Sequence, residues 1–209
     1  MTEHYNYKFK CIVVGDAGVG KSCYIRRLAK GVFDSLYQLT VGVELEFITC
    51  HVFGKKIRVQ IWDTAGSERF HSIMRSYYRD CCICALVFDK TSKSSFDSIS
   101  NKWQKDIVEL CDPNVTCILV GNKCDMKHDI EVTREEGEAL AKTLDCPYVE
   151  VSAKSGKEVE HSFRVLLEKM VDKMLVLSVN EQDKLRIERG LSEKTYFEYK
   201  EKEEQGTCC

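Results

Sequence analysis

The sequence predicts an α/β fold: a mainly parallel six-stranded sheet with one antiparallel edge strand and helices on both faces. Strand-like runs alternate along the chain with amphipathic, helix-like segments, which is the pattern of strands joined by helical crossovers. Several of the strand-like runs are apolar at every position. Such runs are typical of strands that are buried on both sides, as in parallel sheets.

Six segments carry the strand pattern. They are Tyr7–Val14, Val43–Phe53, Lys56–Trp62, Ile83–Asp89, Val115–Val120 and Tyr148–Val151. Phe53, Gly54 and Lys55 join the second of these segments to the third. So short a connection predicts an antiparallel hairpin, and the hairpin supplies the antiparallel edge of the sheet.

Four segments carry helical signals: Cys23–Ala29, Ser94–Leu110, Thr133–Leu144 and Val159–Leu177. In the second segment, Phe96, Ile99, Trp103, Ile107 and Leu110 recur at helical spacing and predict one buried side. The third segment opens with Thr-Arg-Glu-Glu, a capping-box pattern that predicts where the helix begins.

Length and composition suit one folded domain with a tail. Of 209 residues, 44% are hydrophobic, and we expect a domain over residues 1–177 and a charged tail over 178–209. A net charge of −2 argues against a nucleic-acid partner. The N-terminus lacks the apolar core of a signal peptide, and the longest apolar run, Cys81–Phe88, is too short to span a bilayer. We therefore expect a protein that is neither secreted nor integral to a membrane.

The chain has 12 cysteines, yet we expect reduced thiols in the cytosol, because a chain of this length can bury a core without disulfides. Cys81 and Cys84 have C-x-x-C spacing, but no second pair or histidine cluster completes a metal site. In a continuous strand, Cys82 and Cys84 would share one face and Cys81 would lie on the other.

The most informative motif lies between the first strand and the first helix. Gly15-Asp16-Ala17-Gly18-Val19-Gly20-Lys21-Ser22 matches G-x-x-x-x-G-K-[ST]. Glycines let backbone N–H groups surround phosphate oxygens, and the helix N-terminus adds positive charge there. The Lys21 ammonium suits the outer phosphates, and the Ser22 hydroxyl suits Mg²⁺. The motif predicts a nucleoside triphosphate site.

The base is indicated by Asn122-Lys123-Cys124-Asp125. A carboxylate such as that of Asp125 can accept hydrogen bonds from the N1–H and 2-amino groups of guanine, whereas adenine offers no such pair of donors. Asn122 either contacts the other polar edge of the base or ties the surrounding loops together. The aliphatic stem of Lys123 can cover one face of the base.

These motifs, together with Asp63-Thr64-Ala65-Gly66 and Ser152-Ala153-Lys154, resemble those of Ras-superfamily small GTPases and imply a P-loop GTPase fold. Within the superfamily the chain resembles Rab proteins. The stretches that carry this likeness are Thr40–Leu45, Arg58–Trp62, Glu68–Phe70, Arg75–Arg79, Leu86–Thr91 and the terminal Cys208-Cys209. Apart from the last pair, the resemblance covers residues 7–176.

The resemblance implies a GTP/GDP site with Mg²⁺. The implied nucleotide-binding residues are Gly15, Asp16, Ala17, Gly18, Val19, Gly20, Lys21, Ser22, Cys23, Phe33, Thr40, Asp63, Gly66, Asn122, Lys123, Asp125, Ser152, Ala153 and Lys154. Among these, Ser22, Thr40 and Asp63 are the implied metal ligands. Phe33 is expected against the base, and the Ala153 N–H is expected at the guanine carbonyl. Lys21, Thr40, Gly66 and Ser67 are the implied catalytic residues.

Two positions depart from the family pattern. Ser67 stands where these GTPases usually carry the glutamine that orients the attacking water. A serine side chain is too short for this, so we expect slow intrinsic hydrolysis. Leu45 replaces the usual phenylalanine of the Rab effector triad, whose other members would be Trp62 and Tyr77. Trp62 could also be a simple core residue.

Cys208-Cys209 resembles a Rab double geranylgeranylation site. The resemblance implies a monomeric switch on the cytoplasmic face of an intracellular membrane, with a soluble cytosolic pool, that regulates vesicle trafficking. Its implied partners are effectors, an exchange factor, a GTPase-activating protein, and prenylation escort and extraction proteins. Two alternatives stay open: a pseudo-GTPase that binds proteins regardless of the nucleotide, and an ATP-dependent small-molecule kinase, which Asp125 disfavours.

Overall fold

The computed structural model describes residues 4–34, 43–64, 77–179 and 196–198. The strands are β1 Tyr7–Val14, β2 Val43–Val52, β3 Lys55–Thr64, β4 Ile83–Asp89, β5 Thr116–Asn122, β6 Tyr148–Glu150 and β7 Tyr196–Glu198. The helices are α1 Lys21–Lys30, α2 Lys93–Ser98, α3 Gln104–Leu110, α4 Arg134–Thr143 and α5 Val159–Val179, with a π-helical turn at Ile99–Trp103.

The predicted six-stranded sheet is confirmed. Its strands lie in the order β2-β3-β1-β4-β5-β6, and only the β2–β3 pair of this path is antiparallel. The hairpin turn places Phe53 and Gly54 at positive φ, which is what a tight connection between antiparallel strands requires. The short strand β7 also pairs with β1, antiparallel, at Tyr7–Phe9. The sequence pattern of the tail did not predict this strand.

Helices cover both faces of the sheet, as predicted, and each face has its own core. One core combines the sheet with α1 and α5, through residues such as Tyr24 and Leu166. The other combines it with the segment from α2 to α3 and with α4, through residues such as Trp103 and Ala141. None of the helices in the described part of the chain is long and apolar enough to cross a membrane.

The predicted helix over Ser94–Leu110 is interrupted by one turn of π-helix. In this turn the Gln104 N–H donates to the carbonyl of Ile99, five residues earlier. Ile99, Trp103 and Ile107 still face the same core, so the predicted apolar side is confirmed. The capping box of α4 is confirmed too: Thr133 Oγ1 accepts from the Glu136 N–H, and the Glu136 carboxylate accepts from the Thr133 N–H.

The prediction for the cysteine faces was wrong. Cys81 and Cys84 lie in the same core, whereas Cys82 lies in the other. The alternation rule fails because β4 begins only at Ile83, so Cys81 and Cys82 precede the pleated part of the chain. The ten cysteines of the described ranges are free thiols. In those ranges His, Cys, Asp and Glu form no cluster of three or more that could hold a metal ion.

The parallel strands bring their carboxyl ends to one edge of the sheet. Gly15 follows β1, Asp63 lies at the end of β3, and Asn122 is the last residue of β5. Ser152 follows β6 after one further residue. Loops that leave the carboxyl ends of parallel strands build the ligand sites of such sheets. We therefore expect the functional site at this edge.

Candidate guanine-nucleotide site

The loop between β1 and α1 has a backbone that only glycine fits at two points. Gly15 has a φ of 149°, and a Cβ there would lie 2.0 Å from the carbonyl oxygen of Val87. Gly20 has a φ of 92°, and its Cβ would lie 2.5 Å from Nδ2 of Asn122. Ala17 and Gly18 are exposed at the loop's tip, whereas Val19 is buried in the core. The tip of the loop is therefore accessible to a ligand, while Val19 anchors the loop in the core.

Lys21 is buried at the start of α1, with 5% of its surface exposed. Its ammonium donates to the carbonyls of Gly15 and Asp16, each over 2.8 Å. Burial lowers its pKa from 10.5 to about 8, although the nearby Asp63 and Asp16 carboxylates oppose this shift. A buried cation inside a loop of backbone amides is suited to bind phosphate.

Asp63 lies beside this cation at the end of β3. Its side chain is 2% exposed, and within the described residues its Oδ1 has no hydrogen-bond partner. Burial raises the pKa of Asp63, while a hydrogen bond from Ser22 and the charge of Lys21 lower it. A buried carboxylate oxygen without a donor, next to a hydroxyl, fits a hard cation with oxygen ligands such as Mg²⁺. Both predicted metal ligands in the described residues thus lie together.

Asn122 connects three loops. Its Nδ2 donates to the Val19 carbonyl over 2.9 Å, and its Oδ1 accepts from the Ala153 N–H over 3.1 Å. The side chain is 1% exposed. Of the two roles considered for Asn122, the structure shows the one in which it ties the loops together.

Lys123 and Asp125 continue from Asn122 into the same loop. Lys123 has a positive φ of 64° and forms an ion pair with Asp89, over 2.6 Å between Nζ and Oδ2. Asp125 is half-buried, and in the described part of the chain its carboxylate makes no hydrogen bond. The pair with Asp89 holds the Lys123 stem, and the Asp125 carboxylate is available to donors from a ligand.

The loop after β6 is held by Arg27 of α1. The Arg27 guanidinium donates to the carbonyl of Ala153 over 2.9 Å and to that of Lys154 over 2.8 Å. Ser152 is fully buried, and its hydroxyl accepts from the Ser155 N–H. In this structure the Ala153 N–H is engaged by Asn122, so a contact between this N–H and the base stays a prediction.

The remaining nucleotide-site candidates in the described ranges are Phe33 and Cys23. Both are half-buried and pack against the core that includes α1. Burial raises the pKa of the Cys23 thiol, and such a group is neutral at physiological pH. A contact of Phe33 with a base stays a prediction.

Leu45, Trp62 and Tyr77 come together at one edge of the core that includes α4, where Trp62 and Tyr77 are half-buried. Leu45 pairs with Trp62 across β2 and β3 and is 45% exposed. The Trp62 and Tyr77 ring centroids are 5.4 Å apart. Lys10 Nζ lies 4.2 Å from the centre of the Trp62 ring. This cluster is an apolar surface with a cation beside it.

Five predicted functional residues lie outside the described residues: Thr40, Gly66, Ser67, Cys208 and Cys209. Conversely, Arg27, Asp89 and Trp103 hold the site in place, and the sequence did not single them out for this role. The spacing of Trp103 predicts only an apolar helix residue, yet its indole N–H donates to Asp16 Oδ1 over 2.8 Å. Their partners lie between 34 and 127 positions away in the sequence, and no local pattern signals such contacts.

Comparison with known proteins agrees with this geometry. Residues 10–172 match the model of the Ras family. The chain is 40% identical over 174 residues to human Ras-related protein Rab-8B, covering 83% of this chain and 84% of the relative. It is 42% identical over 166 residues to rat Ras-related protein Rab-13, covering 79% of this chain and 81% of the relative. The chain therefore belongs to the Ras family and is a Rab-type small GTPase.

Proposed function

We propose that the protein is a Mg²⁺-dependent switch between GTP-bound and GDP-bound states that recruits effector proteins and regulates vesicle traffic. The observation that carries this proposal is that Lys21 and Asp63 are buried near each other. A buried ammonium at the start of a helix, held by two backbone carbonyls of the loop, suits phosphate, and a buried carboxylate oxygen without a donor among the described residues suits a divalent cation. Both groups are needed to hold a metal-bound triphosphate.

Each part of the site has a defined task in this proposal. Lys21 and the loop amides bind the outer phosphates, and Asp125 selects guanine. Ser22, Asp63 and Thr40 would hold Mg²⁺, which supplies positive charge to the phosphate oxygens when it is bound. Thr40 and Gly66 would contact the terminal phosphate only in the GTP state, and the loss of these contacts after hydrolysis would reset the switch.

We further propose that hydrolysis without a regulator is slow. The reaction is attack of water on the terminal phosphate, and the enzyme's main tasks are to position this water and to stabilise the developing charge. Lys21 and the backbone donors stabilise charge. Ser67 has a short hydroxyl where a glutamine amide usually reaches the water. The protein therefore positions the attacking water less well than it stabilises the developing charge.

Effector binding is assigned to the surface formed by Leu45, Trp62 and Tyr77. An exposed aliphatic side chain beside two half-buried aromatic rings is a usual kind of anchor in protein interfaces. Trp62 Nε1 is buried and, among the described residues, has no hydrogen-bond partner. Leu45 gives the surface a different shape from one with phenylalanine, which favours a distinct set of effectors.

Membrane attachment is assigned to geranylgeranyl groups on Cys208 and Cys209. Two prenyl chains provide firm anchoring that escort and extraction proteins can still reverse. Residues 179–207 contain no cluster of basic residues, so the lipids would provide most of the membrane affinity. The switch would then act on the cytoplasmic face of an intracellular membrane, with an exchange factor and a GTPase-activating protein setting its state.

The test measures dissociation of a fluorescent GDP analogue with Mg²⁺ and with a chelator. In the wild type we expect faster dissociation without Mg²⁺, and in Asp63→Asn we expect fast dissociation under both conditions. Asp97→Asn, at an exposed site on α2, is the matched control and should behave as the wild type. If the wild type releases the GDP analogue at the same rate with Mg²⁺ and with the chelator, the proposal is overturned.

A second measurement separates the switch from a pseudo-GTPase. Proteins captured from a lysate by the chain loaded with a non-hydrolysable GTP analogue are compared with those captured by the GDP-loaded chain. A switch captures different proteins when it is loaded with the GTP analogue and when it is loaded with GDP. Identical sets would favour a nucleotide-insensitive binding module, for which the absence of glutamine at position 67 is the supporting observation.

A further inference from the structure

Trp103 lies outside the nucleotide motifs and yet reaches the phosphate loop. It is fully buried, and it is the last residue of the π-helical turn Ile99–Trp103. Its Nε1–H donates to Asp16 Oδ1 over 2.8 Å, across 87 positions of sequence. π-Helical turns are rare and often occur at functional sites. A buried donor of this kind that bonds a loop carboxylate restrains that carboxylate strongly.

Asp16 is the residue of this loop that Trp103 restrains. Its backbone carbonyl accepts from Lys21 Nζ over 2.8 Å, so it lies beside the ammonium that serves the outer phosphates. The Asp16 carboxylate is negative and half-buried. If it were free to turn, it could pair with Lys21 and repel a phosphate approaching the same cation.

We infer that Trp103 is a positioning residue that keeps the Asp16 carboxylate out of an ion pair with Lys21 and thereby favours binding of the third phosphate of GTP. The indole N–H donates to Oδ1 of that carboxylate and limits its rotation. A phosphate that binds Lys21 then does not have to displace the Asp16 carboxylate. GDP places less charge at the outer end of the loop than GTP, so release of Asp16 should affect GTP more than GDP.

The neighbouring residue adds to this arrangement. Lys102 Nζ lies 4.2 Å from the centre of the Trp103 ring. The positive charge of Lys102 lowers the pKa of Lys21. The π-helical turn therefore supplies a hydrogen-bond donor to Asp16 and places a cation next to that donor. Both favour negative charge in the site, which agrees with a role in binding a triphosphate.

The experiment measures the affinities of GTP and GDP for the full chain with Trp103→Phe, which keeps an aromatic ring and removes the N–H. Loss of one hydrogen bond to a charged group predicts a fall of about tenfold in the GTP-to-GDP affinity ratio. Asp16→Asn in the Trp103→Phe background removes the released charge and should restore the ratio. Failure of this rescue would overturn the inference.

A matched control separates positioning from packing. Ile99→Val removes a methylene from a fully buried residue of the same turn. It should lower the melting temperature without changing the GTP-to-GDP ratio. If Trp103→Phe does not fold, the benzothiophene analogue of tryptophan, introduced at position 103 alone, replaces the N–H by sulfur at nearly constant volume. An unchanged ratio with the analogue would also overturn the inference.

The inference rests on the proposed function, and the outcomes distinguish the two. If the wild type binds neither nucleotide, the proposed function fails. If the wild type binds both and Trp103→Phe leaves the ratio unchanged, only the role of Trp103 fails. The ratio is the informative quantity because a packing defect weakens both nucleotides alike.

Discussion

Asn122 and Ala153 lie on different loops, and the Ala153 N–H donates to Asn122 Oδ1 over 3.1 Å while the Asn122 amide also bonds the carbonyl of Val19. A single buried side chain therefore joins the phosphate loop to both loops expected at the base. Asn122 therefore helps to fix the relative positions of the phosphate and base contacts, together with Arg27, which bonds the Ala153 loop from α1.

Replacement of Asn122 by alanine should loosen all three loops at once. It leaves the buried Val19 carbonyl and the Ala153 N–H without their partner, at a cost to the free energy of unfolding of roughly 2–4 kcal/mol. We also expect faster GDP release. Denaturant unfolding and nucleotide dissociation check this, with exposed Asn114→Ala as control. Unchanged GDP release would contradict the linking role of Asn122.

The low pKa of Lys21 predicts a pH-dependent affinity for GDP. Burial lowers this pKa to about 8 in the structure without nucleotide, and phosphate favours the charged form. Binding must therefore restore the proton above about pH 8, and affinity should fall as pH rises from 8 to 9. In terms of folding, the sign is opposite: the lowered pKa predicts that stability without nucleotide rises between pH 8 and 10.5.

The measurement is a GDP titration at several pH values between 7 and 9. Lys21→Met removes the titrating group, and whatever pH dependence it keeps belongs to the nucleotide or to other residues. Subtracting that background leaves the contribution of Lys21. An equal slope in the wild type and in Lys21→Met would show that the ammonium does not titrate in this range.

Removal of the Asp125 carboxylate should abolish the preference for guanine. Two hydrogen bonds to a charged acceptor account for affinity on the order of 10²-fold or more, so Asp125→Ala should weaken GDP by at least that factor. ADP should remain a poor ligand. Competition binding with both nucleotides tests this, and exposed Asp129→Ala is the control. If Asp125→Ala binds GDP as tightly as the wild type does, Asp125 is not the residue that selects guanine.

Ser67→Gln should accelerate intrinsic GTP hydrolysis. A longer side chain with an amide can position the attacking water, which predicts a single-turnover rate higher by about tenfold or more. Ser67→Ala should hydrolyse GTP at the wild-type rate if the serine hydroxyl has no catalytic role. A rate unchanged by glutamine would show that residue 67 does not limit the reaction.

Cys208→Ser combined with Cys209→Ser should move the protein from membranes to the soluble fraction of cells. The tail between residues 179 and 207 lacks a basic cluster that could hold the protein at an anionic surface. Fractionation and mass spectrometry of the C-terminal peptide measure the effect, with Thr207→Ala as control. Persistent membrane association of the double variant would argue for another anchor.

Much of this fold could be predicted because its signals are local. The alternation of apolar strands with amphipathic helices needs no tertiary information, and neither does the capping box at Thr133. The π-helical turn at Ile99–Trp103 could not be predicted from spacing, because the same apolar residues suit a regular helix. The faces of Cys81 and Cys82 were missed because the start of β4 decides them.

The sequence by itself determined the chemistry of this protein: a lysine and a serine after a glycine-spaced loop, an acidic residue at a strand end, and an Asn-Lys-Cys-Asp stretch. These patterns are readable because each places chemically distinctive groups a fixed number of residues apart. Tertiary structure alone decided how the groups are held. The Asn122 bridge, the Lys123–Asp89 pair and the Trp103–Asp16 hydrogen bond all join distant segments. Such contacts exist only once the parallel strands have brought their carboxyl ends to one edge.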